Sequence, residues 1–97
     1  ASTSHLPFLL SSVLALVTPP DVAPYVGPGF RSASRLAGTP ASMMLGIVQT
    51  NRENLLASLE AVQDEIALFI DALSKNDAEA LQSTLDAARE KYQSLIK

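Results

Sequence analysis

The chemistry this chain could do rests on few side chains. They are one histidine, His5, with Ser4 before it, and two arginines, Arg31 and Arg35, in a first half otherwise almost free of charge. Imidazole is the one side chain whose ordinary pKa lies near neutrality, so His5 could exchange a proton or hold a polar ligand. A serine beside it suggests a nucleophile and its base. Sequence neighbours rarely point at one another, however, and no carboxylate nearby would orient the ring, so a hydrolase is rejected. The plain alternative for His5 is a helix-end histidine bonded to a backbone carbonyl. Arginine keeps its charge in a protein, so a guanidinium set among apolar residues needs a partner. Residues 1–50 offer a single acid, Asp21. Either acids from the second half turn back to meet the arginines, or one arginine receives an anionic ligand. Arg31 and Arg35 stand four apart and would share a face on a helix.

Composition removes several classes of function. With no cysteine and one histidine, thiolate and multi-histidine metal sites are out. The net charge is −3 and no basic cluster exists beyond the two arginines, which argues against nucleic acid as a partner. The apolar run Leu6–Val17 is too short for the roughly twenty residues a membrane span requires, so a buried core helix is expected and no membrane partner. No positively charged segment precedes that run, so no signal peptide is expected. The chain starts without an initiator methionine, on residues that could already be helical. The expectation is one helical domain, residues 1–97, cut from a longer protein.

The elements that must position these residues follow from punctuation and periodicity. Ala1–Val17 reads as a helix apolar on nearly every side, with Ser11 and Ser12 as its polar stripe. Pro7 is tolerated if Ser4 caps the helix, and is interior if the helix begins earlier. Thr18-Pro19-Pro20 ends it, and the Pro- and Gly-rich segment to Gly29 is loop. Phe30–Ala37 is a short helix stopped by Gly38, and Thr39-Pro40 is a start signal with Thr39 as cap. Met43, Met44, Leu45, Ile47 and Val48 belong to a third helix, the methionines filling gaps. Thr50-Asn51-Arg52-Glu53 fits a capping box that restarts the helix at a new angle. Leu55, Leu59, Val62, Ile66, Phe69 and Leu73 then recur at steps of three and four, the mark of a long amphipathic helix. Asn76-Asp77-Ala78-Glu79 is another capping box, opening a last helix that carries Leu81, Leu85, Ala88, Tyr92 and Leu95. Acid pairs such as Asp64/Glu65 and Glu79/Asp86 fall on polar, solvated faces. No β pattern appears, so the fold class is all-α, with the last two helices as an antiparallel hairpin.

Three pieces then form a recognisable order: Ser4-His5-Leu6-Pro7; Phe30-Arg31-x-x-Ser34-Arg35-Leu36-Ala37-x-x-Pro40; and Asn51-Arg52 opening the long helix. Together they resemble the C-terminal helical dimerisation domain of the prephenate and arogenate dehydrogenases, the NAD(P)-dependent oxidoreductases of tyrosine biosynthesis. The resemblance spans nearly the whole chain. It implies a fold like the C-terminal domain of 6-phosphogluconate dehydrogenase and a cytoplasmic homodimer formed through this domain. It also implies an N-terminal Rossmann domain, outside this chain, that binds NAD or NADP and supplies the catalytic histidine. The implied substrate is prephenate or arogenate, oxidised with loss of carbon dioxide. Matched to the family pattern, Arg35 corresponds to the arginine that holds a substrate carboxylate, a task suited to a guanidinium fork. His5 corresponds to a histidine lining the substrate pocket, with Ser4 beside it. Arg31 is expected to anchor its short helix to a carboxylate or to loop carbonyls. No catalytic residue, cofactor-binding residue or metal ligand is expected in this chain, which alone should be inactive.

The chain departs from the family pattern at three places. Phe8 stands where many members carry a second histidine, Ser32 replaces an aspartate after Arg31, and Met43 stands near a common tryptophan. The first leaves prephenate against arogenate open, with a lean toward arogenate. A competing hypothesis is a non-enzymatic helical module whose Leu55–Leu73 seam binds a partner helix.

Overall fold

The computed structural model describes the backbone of residues 2–25 and 27–96 and the side-chain surroundings of residues 5–22 and 27–96. The described residues contain no strand. In chain order they form α1 (Ser2–Val17), a 3₁₀ turn (Pro20–Tyr25), α2 (Pro28–Ser34), a second 3₁₀ turn (Arg35–Gly38), α3 (Ala41–Thr50), α4 (Arg52–Ser74) and α5 (Ala78–Leu95). The all-α expectation holds. The chain divides into two compact units, Ala1–Glu60 and Ala61–Lys97.

In the first unit, α1 packs on α2 and on the 3₁₀ turn that follows it. Helix α1 begins at Ser2, so Pro7 is interior and Ser4 is not its cap. Pro7 has no N–H to offer the carbonyl one turn earlier. Ser11, expected on a polar stripe, is instead buried at 5% exposure. Its hydroxyl donates a 2.7 Å hydrogen bond to the Ala33 carbonyl. The reason lies in α2: the last four carbonyls of any helix lack an intrahelical partner, and in a helix of 7 residues that is more than half of them. Ser11 satisfies one of these and ties α1 to α2. Ser12 turns its hydroxyl back to Phe8 O within α1. The far end of α1 is bare, with Leu16 84% exposed.

The helix starts differ in detail from expectation. Pro40 holds the cap position of α3 with no side-chain cap bond, and Thr39 only donates its N–H to Leu36 O at 3.0 Å. Thr50 folds its hydroxyl onto Ile47 O at 3.0 Å. Asn51 is therefore the residue between α3 and α4, and its carbonyl accepts the Leu55 N–H at 3.0 Å. Leu55, one turn into α4, is 3% exposed.

In the second unit, α4 ends in a tight turn, and α5 does not pack along α4 as the antiparallel hairpin that the spacing suggests. Asn76 adopts a left-handed φ of 53°, while Asp77 N–H donates to Ala72 O at 2.9 Å and Asn76 N–H to Leu73 O at 3.2 Å. Asparagine tolerates this conformation better than most side chains. Asp77, rather than Asn76, caps α5, accepting the Ala80 N–H at 3.0 Å. Ala72 is buried beside the turn, yet Ile66, Leu68, Ile70 and Leu73 on α4 and Leu85, Tyr92 and Leu95 on α5 stay exposed. The periodic stripe of α4 is thus only partly covered within the chain.

Candidate functional site

A cleft of about 470 Å³ opens in the first unit, lined by His5, Pro7 and Phe8 of α1, Leu36 and Thr39 around the second 3₁₀ turn, and Met44 and Ile47 of α3. Its walls are apolar except at His5 and Thr39. A smaller, wholly apolar pocket of about 150 Å³ shares Phe8 and Met44 with it. Pro7 and Phe8 reach the cleft because they follow His5 in a continuous α1, and the tie from Ser11 to Ala33 holds that helix against α2 and the turn.

His5 is half-buried, and its Nδ1 lies 3.4 Å from Nδ2 of Asn51, 46 residues away in sequence. Asn51 in turn accepts at Oδ1 a 3.0 Å hydrogen bond from Nδ2 of Asn54. Among the described residues the contact with Asn51 is the one side-chain contact the lone histidine makes. It meets an amide at the junction of α3 and α4. Ser4 lies in α1, but its side chain falls outside the described residues.

The arginines sit otherwise than their apolar setting suggested. Arg31 in α2 and Arg35 in the 3₁₀ turn are both exposed. Neither enters an ion pair or a side-chain hydrogen bond among the described residues. Both guanidinium groups are open to water, and among the described residues the Arg31 side chain meets no carboxylate and no loop carbonyl. The Arg31 N–H donates to Gly27 O at 3.1 Å, the first intrahelical bond of α2. Arg35 is followed directly by Leu36, which lines the cleft, while its own side chain is outside the lining.

Two residues of this region were not expected at the site: Thr39, taken as a helix cap, and Asn51, placed inside a capping box and in the Asn51-Arg52 pair. For Asn51 a signal existed, since Thr50 and Asn51 are both cap-competent and one helix start needs only one of them. Among the described residues no group of three or more His, Cys, Asp or Glu could hold a metal ion, and no helix is long and apolar enough to cross a membrane. Among the described residues no strand leads into a glycine-rich turn, the arrangement that cradles a dinucleotide pyrophosphate in a Rossmann domain.

Comparison with known families gives the class to which this arrangement belongs. Residues 1–87 match the family described as prephenate dehydrogenase, dimerization domain. The chain belongs to that family, whose members are domains of oxidoreductases. No solved structure matches it.

Proposed function

We propose that this chain is the dimerisation and substrate-binding domain of a prephenate or arogenate dehydrogenase, joined in its parent protein to an N-terminal Rossmann domain. The family match over residues 1–87 carries the reading. The cleft beside the turn of Arg35 supports it, because it offers what a small ring-bearing acid requires. Phe8, Met44 and Ile47 give apolar walls for the ring, and His5 and Thr39 give polar groups. Arg35, free of protein acids among the described residues, is available to a carboxylate. Its role is to hold the substrate in line, a positioning contribution. NAD or NADP supplies the hydride acceptor from the other domain. With Phe8 in place of a polar side chain, the cleft favours the substrate that asks least of that position.

The exposed apolar side chains of the second unit support a homodimer. Ile66, Leu68, Ile70, Leu73, Leu85 and Tyr92 form more uncovered apolar surface than helices facing water carry singly. An obligate interface between two copies buries more than about 2,000 Å² in total. Sedimentation equilibrium at micromolar concentration should show twice the 10.3 kDa chain mass, and a monomer alone would overturn the dimer.

The substrate reading is tested in the parent protein by steady-state kinetics with prephenate and with arogenate, using each nicotinamide cofactor. Arg35→Ala should raise KM for the favoured acid roughly ten- to a hundred-fold, from the ~1.5–3 kcal/mol of a charge-assisted bond. Arg35→Lys should restore only part of this, since an ammonium cannot make the two-pronged contact. Normal KM in Arg35→Ala with a large rise in Arg31→Ala would reassign the residue. No turnover of either acid by the unaltered parent would end the reading.

A further inference from the structure

We propose that Asn51 is a positioning residue that fixes the tautomer of His5, so that the ring meets a bound acid as a hydrogen-bond donor through Nε2. The role of that donor rests on the substrate reading above, whereas the fixing of the tautomer stands on the contact itself.

Asn51 carries one acceptor and one donor group on its side chain. The acceptor, Oδ1, is engaged by Asn54 Nδ2 at 3.0 Å. That leaves the amide nitrogen, 3.4 Å from Nδ1 of His5. An Asn51 N–H can donate to Nδ1 only if that nitrogen carries no proton, and in a neutral imidazole the proton is then on Nε2. The separation is long for a hydrogen bond, as contacts in unliganded sites often are before a ligand tightens them. Nε2–H becomes the ring's remaining polar group, and His5 lines a cleft whose other walls are nearly all apolar. Such a site presents a donor to an oxygen of the ligand rather than a base to its proton.

Asn51 is also well placed to hold its position. It stands at the break between α3 and α4, with its N–H donated to Ile47 O at 3.1 Å and its carbonyl accepting from Leu55 N–H. Its backbone is bonded on both sides, so the amide is presented from a fixed point. Asn54, one turn on, sets which end of the amide faces His5.

The chain contains a single histidine, which makes the test direct. The 97-residue chain, labelled with ¹⁵N in histidine, is examined by long-range ¹H–¹⁵N correlation at a pH where the ring is neutral. The expected result is a protonated Nε2 and an unprotonated Nδ1. Asn51→Asp replaces the amide by a carboxylate, which only accepts, so the proton should move to Nδ1. Aspartate also serves as a helix cap, so the start of α4 survives this change. Asn54→Ala, on an exposed part of α4, should let the amide turn over and give a mixture of the two tautomers. In the parent protein, Asn51→Leu should raise KM for the acid roughly two- to tenfold, the effect of one neutral hydrogen bond, with kcat changed less. A protonated Nδ1 in the unaltered chain, or spectra that do not respond to Asn51→Asp, would overturn the proposal. Absence of prephenate or arogenate turnover in the parent would count against the substrate reading and leave the tautomer result standing.

Discussion

The two compact units of the chain bond their polar side chains over different distances. In residues 5–60, Ser11 reaches Ala33 across 22 positions and Asn51 reaches His5 across 46. In residues 61–96, every described side-chain bond stays within 4 positions: Asp71 with Lys75, Asp77 with Ala80, Ala80 with Thr84, Lys91 with Ser94. A bond between distant positions fixes how one element sits on another. A bond within one turn completes a helix and orders nothing beyond it. The first unit accordingly holds a cleft with defined walls. The second presents two well-formed helices whose apolar faces are left largely uncovered. Large apolar side chains stay exposed in both units, Leu16 and Met43 in the first as much as Leu73 in the second, so the difference between the units lies in their polar ties.

The sharpest way to break this contrast is at Ser11. Ser11→Ala leaves the Ala33 carbonyl facing a buried position without its donor, at a cost of about 1–3 kcal/mol. For a domain of this size each kcal/mol lowers Tm by roughly 4–8 °C. Amide hydrogen exchange should quicken across α1 and α2 while α5 keeps its protection. Equal loss of protection in α5 would mean that the second unit depends on the tie, and the contrast between the units would fail.

A middle-sized effect is expected at Asp77, the cap of α5. Asp77→Ala removes the acceptor of the Ala80 N–H, worth about 1 kcal/mol. Here exchange should rise in the first turn of α5 and leave α1 and the His5 resonances unchanged. Asp77→Asn should recover most of the loss, since asparagine caps as well.

Those two positions also mark what was legible in the sequence. Periodicity and breakers reveal five helices, because a three–four spacing and a Pro or Gly signal are local properties of the chain. The spacing of Leu55, Leu59, Val62, Ile66, Phe69 and Leu73 identifies a face but not what covers it. Leu55 is 3% exposed and Leu73 is 65% exposed, so one stripe meets two fates. Ser11 reads as polar, and its burial follows from an orphan carbonyl 22 residues on, which no local pattern contains. The two capping boxes look alike, yet Asp77 caps a helix and Asn51 turns its amide to His5. A guanidinium in an apolar stretch suggests a buried pair, while backbone geometry instead leaves both arginines in water. The family of the chain was legible from Ser4-His5-Leu6-Pro7 and the arginine segment, because such motifs carry an inheritance that propensity does not.

The smallest effect tests whether local ties are as weak as the contrast requires. Lys75 Nζ lies 3.2 Å from Asp71 Oδ1, with side-chain exposures of 69% and 61%. The pair is well oriented, with the acid one turn before the base and the lysine just past the end of α4, where the helix dipole favours a positive charge. Water and salt screen it nevertheless, and exposed pairs of this spacing contribute about 0.3–0.5 kcal/mol. Lys75→Ala should therefore lower Tm by no more than about 4 °C, and the difference from the unaltered chain should shrink as salt is raised toward 1 M. A double-mutant cycle with Asp71→Ala isolates the coupling from the separate cost of each truncation. A coupling energy above about 1 kcal/mol that persists in high salt would show the pair to be shielded from water. The second unit would then be held by more than its own helical turns, and the face bearing Asp71 and Lys75 would have to be covered by something in solution.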